Sequence, residues 1–138
     1  MALRANFRVQ PNPLLRGPVE AEVFKLREAD LAAACYGPRI GGDLYDFIRV
    51  HSHGVLFALL DVAGRAKENS SIVSAAQATF RERGAALFAK DDINQADAIT
   101  DLYMEMNRTI LRSAGEVRES AAFVACYRED LGTLCYFK

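Results

Sequence analysis

The sequence predicts an α+β fold, antiparallel β-sheets flanked by a helix pair. Three observations carry this. Strand-like stretches fill the first part of the chain, two helical stripes follow with no strand between them, and two more strand-like stretches close it. Consecutive helices set between antiparallel hairpins require segregated layers rather than an alternating parallel sheet. With 138 residues, 51 % of them hydrophobic, the chain can bury the core of one such domain but hardly of two.

Residues 1–18 contain Pro11, Pro13 and Pro18, with Gly17 beside the last. Each proline holds its predecessor extended, so this stretch reads as an N-terminal arm or linker, and residues 19–138 as the domain. Ala21, Val23 and Leu26 suggest a first strand and residues 31–36 a second, broken by Gly37-Pro38. Residues 44–50 alternate loosely, whereas VLFALL at 55–60 is continuously apolar, the pattern of a strand covered on both faces. His51-Ser52-His53-Gly54 links these two as a hairpin. Ile72, Ala76 and Phe80, extended by Leu87 and Phe88, give a helix over residues 69–89, weakened near Gly84. Ile99, Leu102, Tyr103, Met106 and Ile110 give a second helix, with Asn94 as N-cap and Gly115 as its stop. Residues 121–127 and 133–137 form a closing hairpin. The last strand has no turn or polar tail after it, so the domain is expected to be incomplete at its C-terminus.

The 17 basic and 18 acidic side chains leave a net charge of −1, which sets up no field toward nucleic acid or a membrane surface. The opening MALRANFRVQPNP has no apolar signal-peptide core, and no apolar run approaches the ~20 residues of a membrane span. Cys35, Cys126 and Cys135 are odd in number, lie in apolar strand-like stretches and lack the close pairing of a zinc site. They read as reduced, buried thiols of a cytoplasmic protein.

Two acidic positions raise a chemical question. Residues 41–46 read GGDLYD, and the apolar strand at 55–60 ends in DVAG. If the hairpin turns at His53-Gly54, Asp43 and Asp61 lie at the same open end. Two carboxylates converging there repel unless a cation separates them, and hard oxygen ligands suit Mg²⁺ or Mn²⁺. On residues alone a second reading stands beside this one: Asp43 caps a turn and Asp61 a helix start. Asp46 follows Asp43 by three residues and so points to the opposite strand face, where a hydrogen bond to nearby backbone is expected. His51 and His53 read as solvent-exposed turn residues, Asn107 as a structural hydrogen-bonding residue, and Arg39 as a surface arginine or a phosphate contact.

The order GGDLYDF, apolar strand ending in DVAG, helix, second helix containing LYMEMN, then strand-turn-strand resembles the metal-dependent protein phosphatases. More narrowly it resembles their bacterial SpoIIE-type branch, related to protein phosphatase 2C. The likeness spans about residues 19–138, and GGDLYDF is its most specific part. The resemblance implies part of an α-β-β-α sandwich and hydrolysis of phosphoserine or phosphothreonine by a metal-activated water. It implies that Asp43 binds a metal, that Asp61 bridges two Mn²⁺ or Mg²⁺ ions, and that the backbone carbonyl of Val62 joins the second ion's shell. The implied partner is a phosphorylated anti-sigma-factor antagonist, in stress or sporulation signalling.

Two departures qualify the likeness. Where relatives read D-V-S-G-H-G, this chain has Asp61-Val62-Ala63-Gly64-Arg65-Ala66, placing a cation, Arg65, at the lip of the site. Arg65 there either holds a substrate phosphate or repels metal. The later aspartates that complete a two-metal site in relatives have no counterpart up to Lys138. An alternative therefore stands, a non-catalytic interaction module with an incomplete metal site. A third is a homodimer in which two copies complete each other through the edge strand at 133–137.

Overall fold

The computed structural model describes residues 20–27, 29–35, 42–115 and 119–138. The elements run β1 (Glu20–Lys25), β2 (Asp30–Cys35), β3 (Asp43–His51), β4 (Gly54–Val62), α1 (Ala66–Leu87), α2 (Gln95–Ala114), β5 (Ser120–Arg128) and β6 (Thr133–Phe137). β1 and β2 pair as a two-stranded antiparallel sheet, and β3-β4-β5-β6 form a four-stranded antiparallel sheet in that order. The fold is α+β. The expected arm at residues 1–18 lies outside the described residues.

Parity along the strands decides what each side of the larger sheet meets. Leu56, Ala58, Leu60 and Val62 of β4, with Leu44 of β3 and Val124 and Cys126 of β5, turn toward the helices. They pack against Ile72, Ala76 and Phe80 of α1 and Ile99, Leu102, Met106 and Ile110 of α2. The stripe of Met106 and Ile110 is core, as its spacing predicts, with Tyr103 packed at its margin.

The other side of the sheet follows the opposite parity. Val55 is fully buried there and Phe57 half-buried, but Leu59 is 54 % exposed. The continuous apolar run therefore does not mean burial on both faces along its whole length. Phe57 meets Phe123 (centroids 6.1 Å apart), and Phe123 stacks on Tyr136 (5.5 Å), an aromatic row that shares this face with exposed Leu134.

The helix ends show which local signals were readable. Asn94 caps α2, its Oδ1 accepting the Ala96 and Asp97 N–H groups at 3.1 and 3.4 Å. Gly115 stops it in the left-handed region at φ 66°, which a glycine reaches without a Cβ penalty. α1 begins at Ala66, three residues ahead of the expected start, and runs unbroken through Gly84. Arg65 takes the extended N-cap backbone with no side-chain cap, so no capping residue announces the start. No helix among the described residues is long and apolar enough to cross a membrane.

Candidate metal centre

β3 and β4 form the hairpin expected from the link at residues 51–54, turning at Ser52-His53, and its register pairs the Cα of Asp43 directly with that of Asp61. The ladder beside this pair fixes its type. The Val62 N–H donates to the Gly42 carbonyl at 2.9 Å, so the adjoining position is the hydrogen-bonded one. Asp43 and Asp61 thus occupy a non-hydrogen-bonded position, where Cα atoms stand about 4.5 Å apart and side chains are closest. Both residues are exposed. By parity they leave the sheet on the face away from the helices, with Leu59 two residues along β4 and Ala121 opposite Asp61 on β5. The small Ala121 side chain leaves the β5 flank of the pair open.

The double glycine has a steric explanation at its second member. A Cβ on Gly42 would lie 1.9 Å from the Val62 carbonyl oxygen and 2.7 Å from its carbonyl carbon and nitrogen. Only a residue without a side chain lets the chain entering β3 cross the end of β4 this closely. Gly41 lies outside the described residues.

The Val62 carbonyl itself is engaged. Asn69, fully buried in α1, donates its Nδ2–H to that oxygen at 2.7 Å. The bond fastens the end of β4 to the start of α1. A metal sharing this oxygen would have to use its second lone pair. Ala63 extends the anchoring, its N–H donating to the Glu119 carbonyl at 3.0 Å just before β5. Arg65 is exposed at the α1 N-terminus, separated from Asp61 by Val62-Ala63-Gly64, and its carbonyl accepts the Glu68 and Asn69 N–H groups. Arg39 lies outside the described residues. No group of three or more His, Cys, Asp or Glu gathers around a common point among the described residues, so the carboxylates stand there as a pair.

Asp46 points to the helix side, as its spacing from Asp43 requires. Its Oδ1 accepts the Phe47 N–H at 2.9 Å, the local backbone bond expected. It also receives a two-pronged bond from Arg81, Nε to Oδ2 at 2.6 Å and an Nη to Oδ1 at 2.7 Å, and a third partner in Gln77 at 3.0 Å. Gln77 and Arg81 are one turn apart on α1, so both reach the same carboxylate. Asp46 is an anchor between β3 and α1. Asn107 lines a small cavity under α2 with Leu60, Tyr103, Met106, Ile110 and Ser120.

The other end of the sheet is closed by ion pairs. The His51 side chain is only 5 % exposed, with Nδ1 2.7 Å from Asp91 Oδ1. This corrects the expectation of a solvated turn histidine: Gly54, opposite His51 in the ladder, has no Cβ to displace the imidazole, and the α1–α2 connection supplies Asp91. The same Nδ1 lies 3.2 Å from the His53 N–H, which needs a lone pair where Asp91 needs a proton. The shorter, charge-assisted contact decides it, so Nδ1 carries the proton. Burial, outweighing the pull of Asp91, holds the His51 pKa below its usual value. Arg128 forks onto Asp130 at 2.8 and 2.6 Å and donates to the Asp91 carbonyl at 2.9 Å. The Arg128 hydrogen bonds hold the Asp130 carboxyl down to about 2. Glu129 is likewise held low, first by the Arg27 N–H and then by Arg49.

Sequence reasoning missed Asn69, Arg81, Gln77 and Asp91. The only local signal among them is the Gln77–Arg81 spacing on one helix face. No protein-family model matches the chain, and neither a curated protein nor a solved structure matches it.

Proposed function

We propose that this chain is a metal-dependent serine/threonine protein phosphatase domain that hydrolyses phosphoserine or phosphothreonine on a protein substrate. The observation that carries this reading is the direct pairing of Asp43 and Asp61 at a non-hydrogen-bonded position with both side chains exposed. Two hard carboxylates so close, with open space beside Ala121, fit Mn²⁺ or Mg²⁺, water filling the rest of the shell. Bound, such an ion activates water for attack on phosphorus. Asp43 and Asp61 hold the ion, and Gly42 and Asn69 fix the backbone that aims them. Arg65 is the candidate for the substrate phosphate, as an exposed cation three residues beyond Val62. The substrate class in this reading is a small phosphorylated anti-sigma-factor antagonist, met in the cytoplasm.

The test is turnover of an aryl phosphate and of a phosphoserine peptide by the full chain with Mn²⁺ present. Turnover that disappears in Asp61→Asn is expected; full-rate turnover in that variant overturns the assignment. A specific observation favours the alternative of a non-catalytic phosphatase-like interaction module: the Val62 oxygen already has Asn69 as its partner. Calorimetry separates the two, because no heat of Mn²⁺ binding at millimolar metal supports the module and excludes the enzyme.

A further inference from the structure

A second site of possible chemistry lies on the β5–β6 hairpin, away from the carboxylate pair. The register of these strands makes Cys126 and Cys135 direct Cα partners. Directly opposite residues share a face: Cys126 lies in the core under α2 and Cys135 packs against that core. Either kind of antiparallel ladder position puts such Cα atoms about 4.5 or 5.5 Å apart, inside the roughly 4.4–6.8 Å span of disulfides. The sulfurs also feel each other's charge: burial first, and Cys135 second, push the Cys126 thiol up to about 11. Both are free thiols, Cys126 buried and Cys135 half-buried.

We propose that Cys126 and Cys135 are a redox-sensitive modification site that closes into a reversible cross-strand disulfide on exposure to a low-molecular-weight disulfide of the glutathione type. Cys135, the more accessible sulfur, gives up its proton and attacks one sulfur of the oxidant. The oxidant's S–S bond breaks and one thiolate leaves. The Cys126 thiol then gives up its proton and attacks the Cys135 sulfur, displacing the second thiolate. Two protein thiols lose two protons and two electrons, and one oxidant disulfide becomes two thiols. The high Cys126 pKa makes the second attack slow near neutrality and faster in alkali. The product staples β6 to β5 where Phe137 lies on Tyr103 of α2 with centroids 4.4 Å apart. Cys126 pairs with Leu56, five residues along β4 from Asp61, about 17 Å away at strand rise. The site is therefore independent of the phosphatase reading and fails or survives separately.

The experiment uses the full chain in a Cys35→Ser background, leaving two thiols. The protein is equilibrated with mixtures of reduced and oxidised glutathione, folded and in urea, then acid-quenched, digested without reduction and mapped by mass spectrometry. The expected result is a peptide linking Cys126 to Cys135, with an effective concentration at least about tenfold higher in the folded chain than in the unfolded one. Adding Cys135→Ser with Tyr136→Cys moves the second thiol to the other sheet face and is expected to abolish the link. No link in the folded chain, a persistent glutathione adduct at Cys135 alone, or equal linkage in urea overturns the proposal.

Discussion

Asn69 Nδ2 donates to the Val62 carbonyl oxygen at 2.7 Å, tying the first turns of α1 to the end of β4 seven positions earlier. Asn69 is wholly buried, so this amide was taken out of water to make that contact. The Val62 N–H is held from the other side by the Gly42 carbonyl. Val62, the residue following Asp61, is thereby fixed from β3 through its N–H and from α1 through its carbonyl, and with it the direction in which the Asp61 carboxylate leaves the sheet.

Removing the amide leaves the Val62 oxygen short of a buried partner and opens space in the helix–sheet contact. Asn69→Ala is expected to cost about 1–3 kcal/mol. Urea denaturation checks it: the midpoint falls with the m-value unchanged. A midpoint equal to that of the parent protein means that the bond does not anchor β4 to α1.

Gly42→Ala meets backbone rather than a movable side chain, since the new Cβ falls 1.9 Å from the Val62 oxygen. The crossing of the two chains has to open, at about 2–3 kcal/mol. If the carboxylates bind Mn²⁺, the same shift spreads Asp43 from Asp61 and lowers metal affinity. Calorimetric Tm and Mn²⁺ titration read both effects. A Tm within about 1 °C of the parent contradicts the close approach.

Like charges directly opposite in a sheet destabilise it. Asp43→Asn is therefore expected to raise the stability of the metal-free protein by about 0.2–1 kcal/mol. The gain is larger at low ionic strength, because both carboxylates are exposed and screened by salt. The variant also loses any rise in Tm that Mn²⁺ gives the parent. A variant less stable than the parent in low salt without metal shows that the two carboxylates do not face each other.

The hairpin that joins Asp43 to Asp61 was legible because its parts are local. The alternation, the turn around His53 and the apolar run each set a boundary, and the pairing of the aspartates follows by counting. Asn94 and Gly115 were legible for the same reason, as end signals read without tertiary context. The start of α1 was not, because Arg65 offers no cap and the polar stretch after it has no apolar stripe. Asp46 shows the limit most clearly. Parity gave the face it points to, but its partner Arg81 is 35 residues away, and nothing local distinguishes Arg81 from any exposed helix arginine. The burial of His51 depended on Asp91 in the α1–α2 connection, also remote in sequence.

The Asp46–Arg81 fork is a partly buried pair, the carboxylate side chain 7 % exposed and the arginine 56 %. That solvent access tempers the arginine's contribution well below that of a fully buried pair. Arg81→Met is expected to cost about 1–2 kcal/mol, because Gln77 and the Phe47 N–H still satisfy part of the carboxylate. A double-mutant cycle with Asp46→Ala isolates the pair, with a coupling of about 1 kcal/mol expected. Zero coupling means that the two side chains contribute independently.

His51 makes stability depend on pH in a known direction. Its pKa in the folded protein lies below the usual 6.5, mainly because the ring is desolvated. Asp91 and Asp130 oppose that shift, while Arg128 and His53 reinforce it. Protonation would also place a second N–H at Nε2, which is buried without a hydrogen-bond partner among the described residues. Below 6.5 the unfolded chain thus binds more protons than the folded one, and stability rises with pH across that window. The contribution is present above 6.5 and is lost as pH falls toward the folded value, after which it levels off. Urea midpoints taken from about pH 8 to about pH 5 are expected to fall more steeply for the parent than for His51→Gln, which does not titrate there but can still donate to Asp91. Every other side chain is common to the two proteins, so the difference between the curves belongs to His51. Parallel curves show that the imidazole at this end of the sheet is solvated well enough to take its proton freely.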